Sequence, residues 1–159
     1  MEKLTLKSTI NVLKEDELSA TDLALVEAAK QATYNSYAPY SHFRVGAAIL
    51  LENGLTIPGC NQENAAFPSG LCAERTALFA AGAQYPDQPV LALAIAARNE
   101  AGEFLEDPVS PCGSCRQVII ETETRFQKPV KILLYGTKHT YVIDSIRELM
   151  PLSFTTLKE

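Results

Sequence analysis

No apolar run in this chain approaches the ~20 residues needed to cross a bilayer, which excludes a membrane-spanning helix. Positive charge is also in deficit: 14 Lys and Arg face 19 Asp and Glu, a formal charge of −5. A chain so acidic lacks the basic face that phosphate contacts require, which argues against a general nucleic-acid binder. No glycine-rich loop of the phosphate-cradling kind is present. The N-terminus, "MEKLTLKSTINVLKEDE", breaks its hydrophobics with charges and does not read as a secretory leader. The expectation is therefore a cytoplasmic protein with reduced thiols. Histidine is scarce: only His42 and His139 occur. Both lie in loop-like stretches with no ligand spacing to the cysteines and read as ordinary surface side chains. No repeat, low-complexity tract or linker divides the 159 residues. That fits one domain, 1–159, burying about two-thirds of its unfolded surface, with 47% apolar and 21% charged residues.

The pattern along the chain alternates strands and helices. Residues 4–12, "LTLKSTINV", alternate apolar and polar and read as an extra N-terminal edge strand. "ELSATDLALVEAAKQATYNSY" reads as a helix capped by Ser19 or Thr21 and broken before Pro39. "FRVGAAILLENGLTIPGCN" reads as a hairpin turning at Asn53-Gly54. A second helix is expected over about 72–83. It is so apolar beyond its first turn that burial on all sides, and a close helix partner, are expected. "VLALAIAA" (90–97) suits a strand buried on both faces. "SPCGSCRQVIIETET" becomes helical, "VKILLYG" and "TYVID" pair antiparallel across a short turn, and "SIRELM" reads as a last short helix ended by Pro151. The expected fold is α/β: a three-layer α-β-α sandwich around one five-stranded mixed sheet, with residues 1–20 as an N-terminal extension.

Four cysteines stand out: Cys60, Cys72, Cys112 and Cys115. In a reducing compartment they point to metal or redox chemistry before disulfides. Cys112 and Cys115 form C-x-x-C, which alone also fits a redox dithiol or two small buried residues. The third thiol, Cys72, also precedes a helix. Helix N-termini carry exposed N–H groups and partial positive charge that favour thiolates. Two such termini facing each other can hold three thiolates around one cation. Zn²⁺ takes tetrahedral sulfur ligands, and three protein ligands leave a position open for chemistry. Cys60 ends a strand instead and is expected to be a small buried residue. Glu74, two residues after Cys72, suits a general acid/base beside a metal-activated water, although a carboxylate there also stabilises the helix dipole. Arg75 has a task beside three thiolates, because a guanidinium can draw off their excess charge. A surface arginine is the alternative. "C-A-E" (72–74) with "P-C-G-S-C" (111–115) matches the zinc-deaminase signature.

"YAPYSHFRVGAA", "GCNQENAAF", "CAERTAL" and "SPCGSCRQVI" together resemble the cytidine deaminases of the small homotetrameric, zinc-dependent type. The resemblance spans about residues 37 to 154. It implies zinc on Cys72, Cys112 and Cys115 and a proton shuttle at Glu74, with hydrolytic deamination of cytidine and deoxycytidine in pyrimidine salvage. It implies that Asn61 and Glu63 hydrogen-bond the ribose, that Phe43 packs on the pyrimidine, and that Gln117 supports Arg75 against the thiolates. It also places Phe154 in a neighbouring chain's site, so that a homotetramer would share its active sites; an anchor against its own domain is the plainer reading of that ring. A neutral nucleoside suits an aromatic face for the base and an amide with a carboxylate for the sugar. Phe67 departs from the resemblance, standing where many relatives have tyrosine. Blasticidin-S deaminase shares the C-A-E and P-C-x-x-C-R elements, but "GCNQEN" with "HFRVGAA" favours cytidine. A deaminase of polynucleotides fits the acidic charge poorly. A non-catalytic zinc-stabilised interaction module leaves Glu74 and the open metal position without a task.

Overall fold

The computed structural model describes residues 1–155. One mixed sheet forms the middle layer. Its strands are β1 (Asn11–Leu13), β2 (Arg44–Leu51), β3 (Thr56–Cys60), β4 (Val90–Arg98), β5 (Lys131–Tyr135) and β6 (Thr140–Ile143). They lie in the order β1-β6-β5-β4-β2-β3. Only β4 and β5 run parallel; their connection carries a helix, as a parallel crossover requires. The helices are α1 (Ala20–Ala32), α2 (Ala73–Gln84) and α3 (Gly113–Phe126). Leu25, Val26 and Ala29 of α1 pack with Ala48, Ala94 and Leu133 on one face of the sheet. Ala77 and Ala81 of α2 and Ile119 and Ile120 of α3 pack with Ile49, Leu93, Ile95 and Ile132 on the other. The expected three-layer sandwich is the fold.

The expected edge strand exists but is short. β1 pairs with β6 through Asn11, Val12 and Leu13 alone, while residues 1–10 are exposed and carry no regular structure. Alternation over 4–12 had no second buried face to enforce it. Ser19 does cap α1, accepting from the Asp22 N–H at 3.1 Å. The helix stops at Ala32 rather than continuing toward Tyr37. There the Thr33 hydroxyl donates to the Lys30 carbonyl (2.6 Å), and the buried Arg98 donates to Thr33 Oγ1 (2.9 Å) and Thr33 O (3.2 Å). Residues 33–35 tighten into one 3-10 turn as a result. "SIRELM" also yields only a 3-10 turn, Ile146–Glu148, because Ser145 caps it and Leu149 already leaves the helix.

Two contacts seat the helices close to the sheet. A Cβ at Gly46 of β2 would lie 2.1 Å from the Ala29 carbonyl oxygen of α1. A Cβ at Gly59 of β3 would lie 2.5 Å from the Ala77 N and 2.7 Å from the Ala73 O of α2. Only glycine permits either approach. The second one sets the height of α2, and with it Cys72 and Glu74, above the sheet. The expectation that α2 is buried on all sides needs correction for the single chain. Ala73, Glu74, Ala77, Leu78 and Ala81 are buried, but Phe79 is 50% exposed and Gly82 and Ala83 face outward.

Candidate active site

The two helices that flank the sheet's second face start side by side. Cys72 is the N-cap of α2 and Cys112 the N-cap of α3, with Cys115 in the first turn of α3. Their three sulfurs lie within 4.8 Å of one another, and Cys72 Sγ and Cys112 Sγ are 3.8 Å apart. The Cys115 N–H points at Cys112 Sγ (3.5 Å), the geometry by which a helix N-terminus favours an anion. Cys60 stays outside this group: it is half-buried and accepts from Gln62 Nε2 at 3.2 Å. His42 is exposed, and His139 stacks on Tyr141 with ring centroids 5.1 Å apart. Neither joins the thiols.

The electrostatics of the thiols suit a cation. Cys72 is pulled down to about 5, first because Cys115 hydrogen-bonds to it and then through Arg75 and Cys112, against the opposing effect of burial. Cys115 is pushed up, chiefly by that same contact with Cys72 and by burial. Three sulfurs so close cannot all ionise unless a positive charge joins them. Arg75 Nη2 donates to Cys72 Sγ at 3.6 Å, while its buried Nε has no partner. The thiols hold the guanidinium above its ordinary pKa, Cys72 first. Three thiolate donors, an arginine that offsets their charge and no fourth protein ligand among the described residues fit a zinc ion with an open position.

Glu74 lies one residue into α2, only 4% exposed. Burial, and then the Cys72 charge, raise its carboxyl above the ordinary range. A cavity of about 670 Å³ opens in front of it. Phe43, Asn61, Glu63, Cys72, Glu74, Arg75 and Cys112 all line this cavity, with Tyr40 and Phe67 beside them. Residues from four separate stretches of sequence are thus brought to one concave surface.

Asn61 and Glu63 are already engaged there. Asn61 Oδ1 accepts from the Ser36 hydroxyl and from the Val45 N–H (2.8 Å), and its Nδ2 donates to the Phe43 carbonyl (2.9 Å). Glu63 accepts from the Tyr40 and Ser41 N–H groups at 2.8 and 3.3 Å and from the Ser41 hydroxyl. Sequence reasoning missed Ser36 and Ser41. Their signal was present as hydroxyls in the "NSYAPYSHF" segment that wraps the strand end carrying Asn61.

One residue sits elsewhere than expected. Gln117 does not reach Arg75: its Nε2 donates to the Phe154 carbonyl at 2.9 Å. One helical turn puts it on the side of α3 that receives the C-terminal tail. Phe154 is 62% exposed and does not line the cavity of its own chain, so its ring is not an anchor in its own core. Phe67, 75% exposed, stands at the rim and meets Tyr40 edge-on with centroids 5.8 Å apart.

Comparison with known proteins agrees with this geometry. Residues 19–128 match the family described as the cytidine and deoxycytidylate deaminase zinc-binding region. A cytidine deaminase of Halalkalibacterium halodurans is 39% identical over 131 residues, 82% of this chain and 92% of that protein. The structure of a cytidine deaminase from Burkholderia pseudomallei superposes with a TM-score of 0.69 at 40% identity, covering 82% of this chain and 97% of the other. That of a cytidine deaminase from Mycobacterium tuberculosis gives a TM-score of 0.65 at 32% identity, covering 84% and 96%. These likenesses run through the segments that carry the three thiols and Glu74, and by them this chain belongs to the zinc-dependent cytidine deaminase family.

Proposed function

We propose that this protein hydrolyses the C4 amino group of cytidine and deoxycytidine, yielding uridine or deoxyuridine and ammonia, a salvage reaction of free pyrimidine nucleosides. The observation that carries the reading is a single one: a buried carboxylate, Glu74, lines one cavity of about 670 Å³ together with Cys72 and Cys112 of the three clustered thiols. Cys72, Cys112 and Cys115 would hold zinc. When bound, zinc supplies the Lewis acidity that makes water nucleophilic at neutral pH.

The chain's own groups do the rest. Phe43 offers its ring to the pyrimidine. Asn61 has both Oδ1 lone pairs and one Nδ2 hydrogen committed, so one N–H remains to donate to a ribose hydroxyl. Glu63, ionised, accepts from a second hydroxyl. Glu74 takes a proton from the attacking water and delivers it to N3 as the water oxygen bonds to C4. It then takes the remaining proton from that oxygen and hands it to the amino group; the C4–N bond breaks, the oxygen becomes the C4 carbonyl and ammonia leaves. A carboxyl whose pKa is raised by burial suits a group that must both accept and release protons. Arg75 keeps the thiolates from holding too much negative charge.

The resemblance and the exposed Phe154 support a homotetramer whose sites are completed by a neighbour's ring. The whole chain would act as one cytoplasmic domain, with residues 1–20 as an appended segment; no helix among the described residues is long and apolar enough to cross a membrane. The test is a substrate panel followed by the fall in ultraviolet absorbance. Cytidine and deoxycytidine should be consumed, and cytidine monophosphate and single-stranded DNA should not. Turnover of the phosphorylated substrates in preference to the nucleosides would refute the reading.

A further inference from the structure

The first turn of α3 carries more than two thiols. Arg116 follows Cys115 and forks between two carbonyls: its Nε donates to Pro111 O at 2.8 Å and its Nη1 to Leu149 O at 2.6 Å. Pro111 immediately precedes Cys112, the most exposed of the three thiols. Leu149 lies within the C-terminal tail, residues 145–154. One residue on, Gln117 holds the Phe154 carbonyl. At the far end of the same helix the buried Glu123 accepts from the Ile146 N–H (3.0 Å) and the Ser145 hydroxyl. The tail from 145 to 154 is therefore hung on α3 by three side chains, two near its start and one near its far end.

We propose that Arg116 is a positioning residue that couples the metal thiols to the C-terminal tail. By spanning Pro111 and Leu149 it fixes the loop bearing Cys112 and the segment bearing Phe154 as one unit. A metal ion drawing Cys112 and Cys115 together would order the first turn of α3, and Arg116 carries that order to the tail. The planar fork matters: guanidinium serves two carbonyls in a fixed geometry, whereas an ammonium is a single point donor. The inference rests on the reading of the three thiols as a zinc site, but not on the identity of the substrate.

The experiment uses the full chain and follows two quantities that need no turnover. One is the rate at which a chromophoric chelator removes zinc. The other is hydrogen exchange of the 149–155 backbone amides, referred to the β4 amides. In the unaltered protein, stripping zinc should raise tail exchange while β4 stays protected. In Arg116→Ala, zinc should leave about tenfold faster, as when other supports of metal ligands are lost. Tail exchange there should be high with or without metal. Arg116→Lys keeps the charge but not the fork and should move both quantities in the same direction by less; it decides the matter if the alanine variant does not fold. Tail exchange indifferent to zinc in the unaltered protein overturns the coupling. So does a variant in which only one of the two quantities changes. A protein that binds zinc and shows the coupling but leaves cytidine intact would instead contradict the proposed function alone.

Discussion

Ser41 governs the ionisation of Glu63. Its hydroxyl is the first cause that holds the Glu63 carboxyl below the ordinary carboxylate range, with the Tyr40 and Ser41 N–H groups adding to it. A depressed pKa keeps the acceptor form present as pH falls, so if Glu63 holds the ribose as proposed, binding should persist into acid. Ser41→Ala should let the pKa rise, and KM should then begin to climb at higher pH than in the unaltered enzyme. Comparing the two KM profiles from about pH 3.5 to 6.5, around the ordinary carboxylate pKa, checks this; coincident profiles would remove Ser41 from the account. Glu74 is tested differently. Glu74→Gln should stay folded and zinc-loaded, yet lose about 10²–10⁴-fold in kcat, the value of a positioned acid–base group. A variant retaining a tenth of the rate would remove Glu74 as the shuttle. At this scale the sequence was readable where residue type dictates chemistry, as for the thiols and Glu74. It was silent on Ser36, Ser41 and Arg116, whose partners are backbone groups and distant side chains that no local spacing reveals. The expectation for Gln117 failed for a related reason: which neighbour an amide meets on a helix depends on how the tail folds back.

The helices were legible because their ends carry cap chemistry and their faces repeat. Ser19 caps α1, and the two cysteine N-caps start α2 and α3 close to their expected positions. Segments without a repeating face were overread: the edge strand shrank to three residues, and "SIRELM", although capped by Ser145, to one 3-10 turn. Less visible was how the elements touch. Gly59 lets α2 rest on the β3 backbone, and a Cβ there would enter the space of Ala73 O and Ala77 N. Gly59→Ala should cost about 1–3 kcal/mol, the range for overpacking a close-packed interior. Because the displaced helix carries Cys72 and Glu74, zinc affinity and kcat should fall along with the denaturation midpoint. Urea titration and metal analysis of the same preparation measure both. A stable variant with full zinc and full rate would show that the height of α2 does not set the site.

For the whole molecule, the outward face of α2 and the exposed Phe154 are the features a single chain leaves unused. If neighbouring chains complete one another, Phe154→Ala should weaken nucleoside binding by ~1–3 kcal/mol, the worth of an aromatic stacked on a base, with zinc content unchanged. Mixing Phe154→Ala chains with Glu74→Ala chains should then restore activity above the sum of the two, because some sites combine an intact Glu74 with a neighbour's intact Phe154. No gain despite demonstrated subunit exchange would return every site to one chain. Sequence alone fixed neither the packing of copies nor the path of the tail, since both depend on surfaces that form only after folding. The central claim is that three thiols hold the zinc that deamination needs. Its most direct measurement is a titration of metal-stripped protein with zinc while cytidine loss is followed. Activity should rise in proportion to added zinc and level off at about one ion per chain, the stoichiometry of one three-thiolate site. Cys112→Ser should show no such rise, and Cys60→Ser should match the unaltered chain. Full activity before any zinc is added to protein shown to be metal-free, or an unchanged titration in Cys112→Ser, would contradict the account.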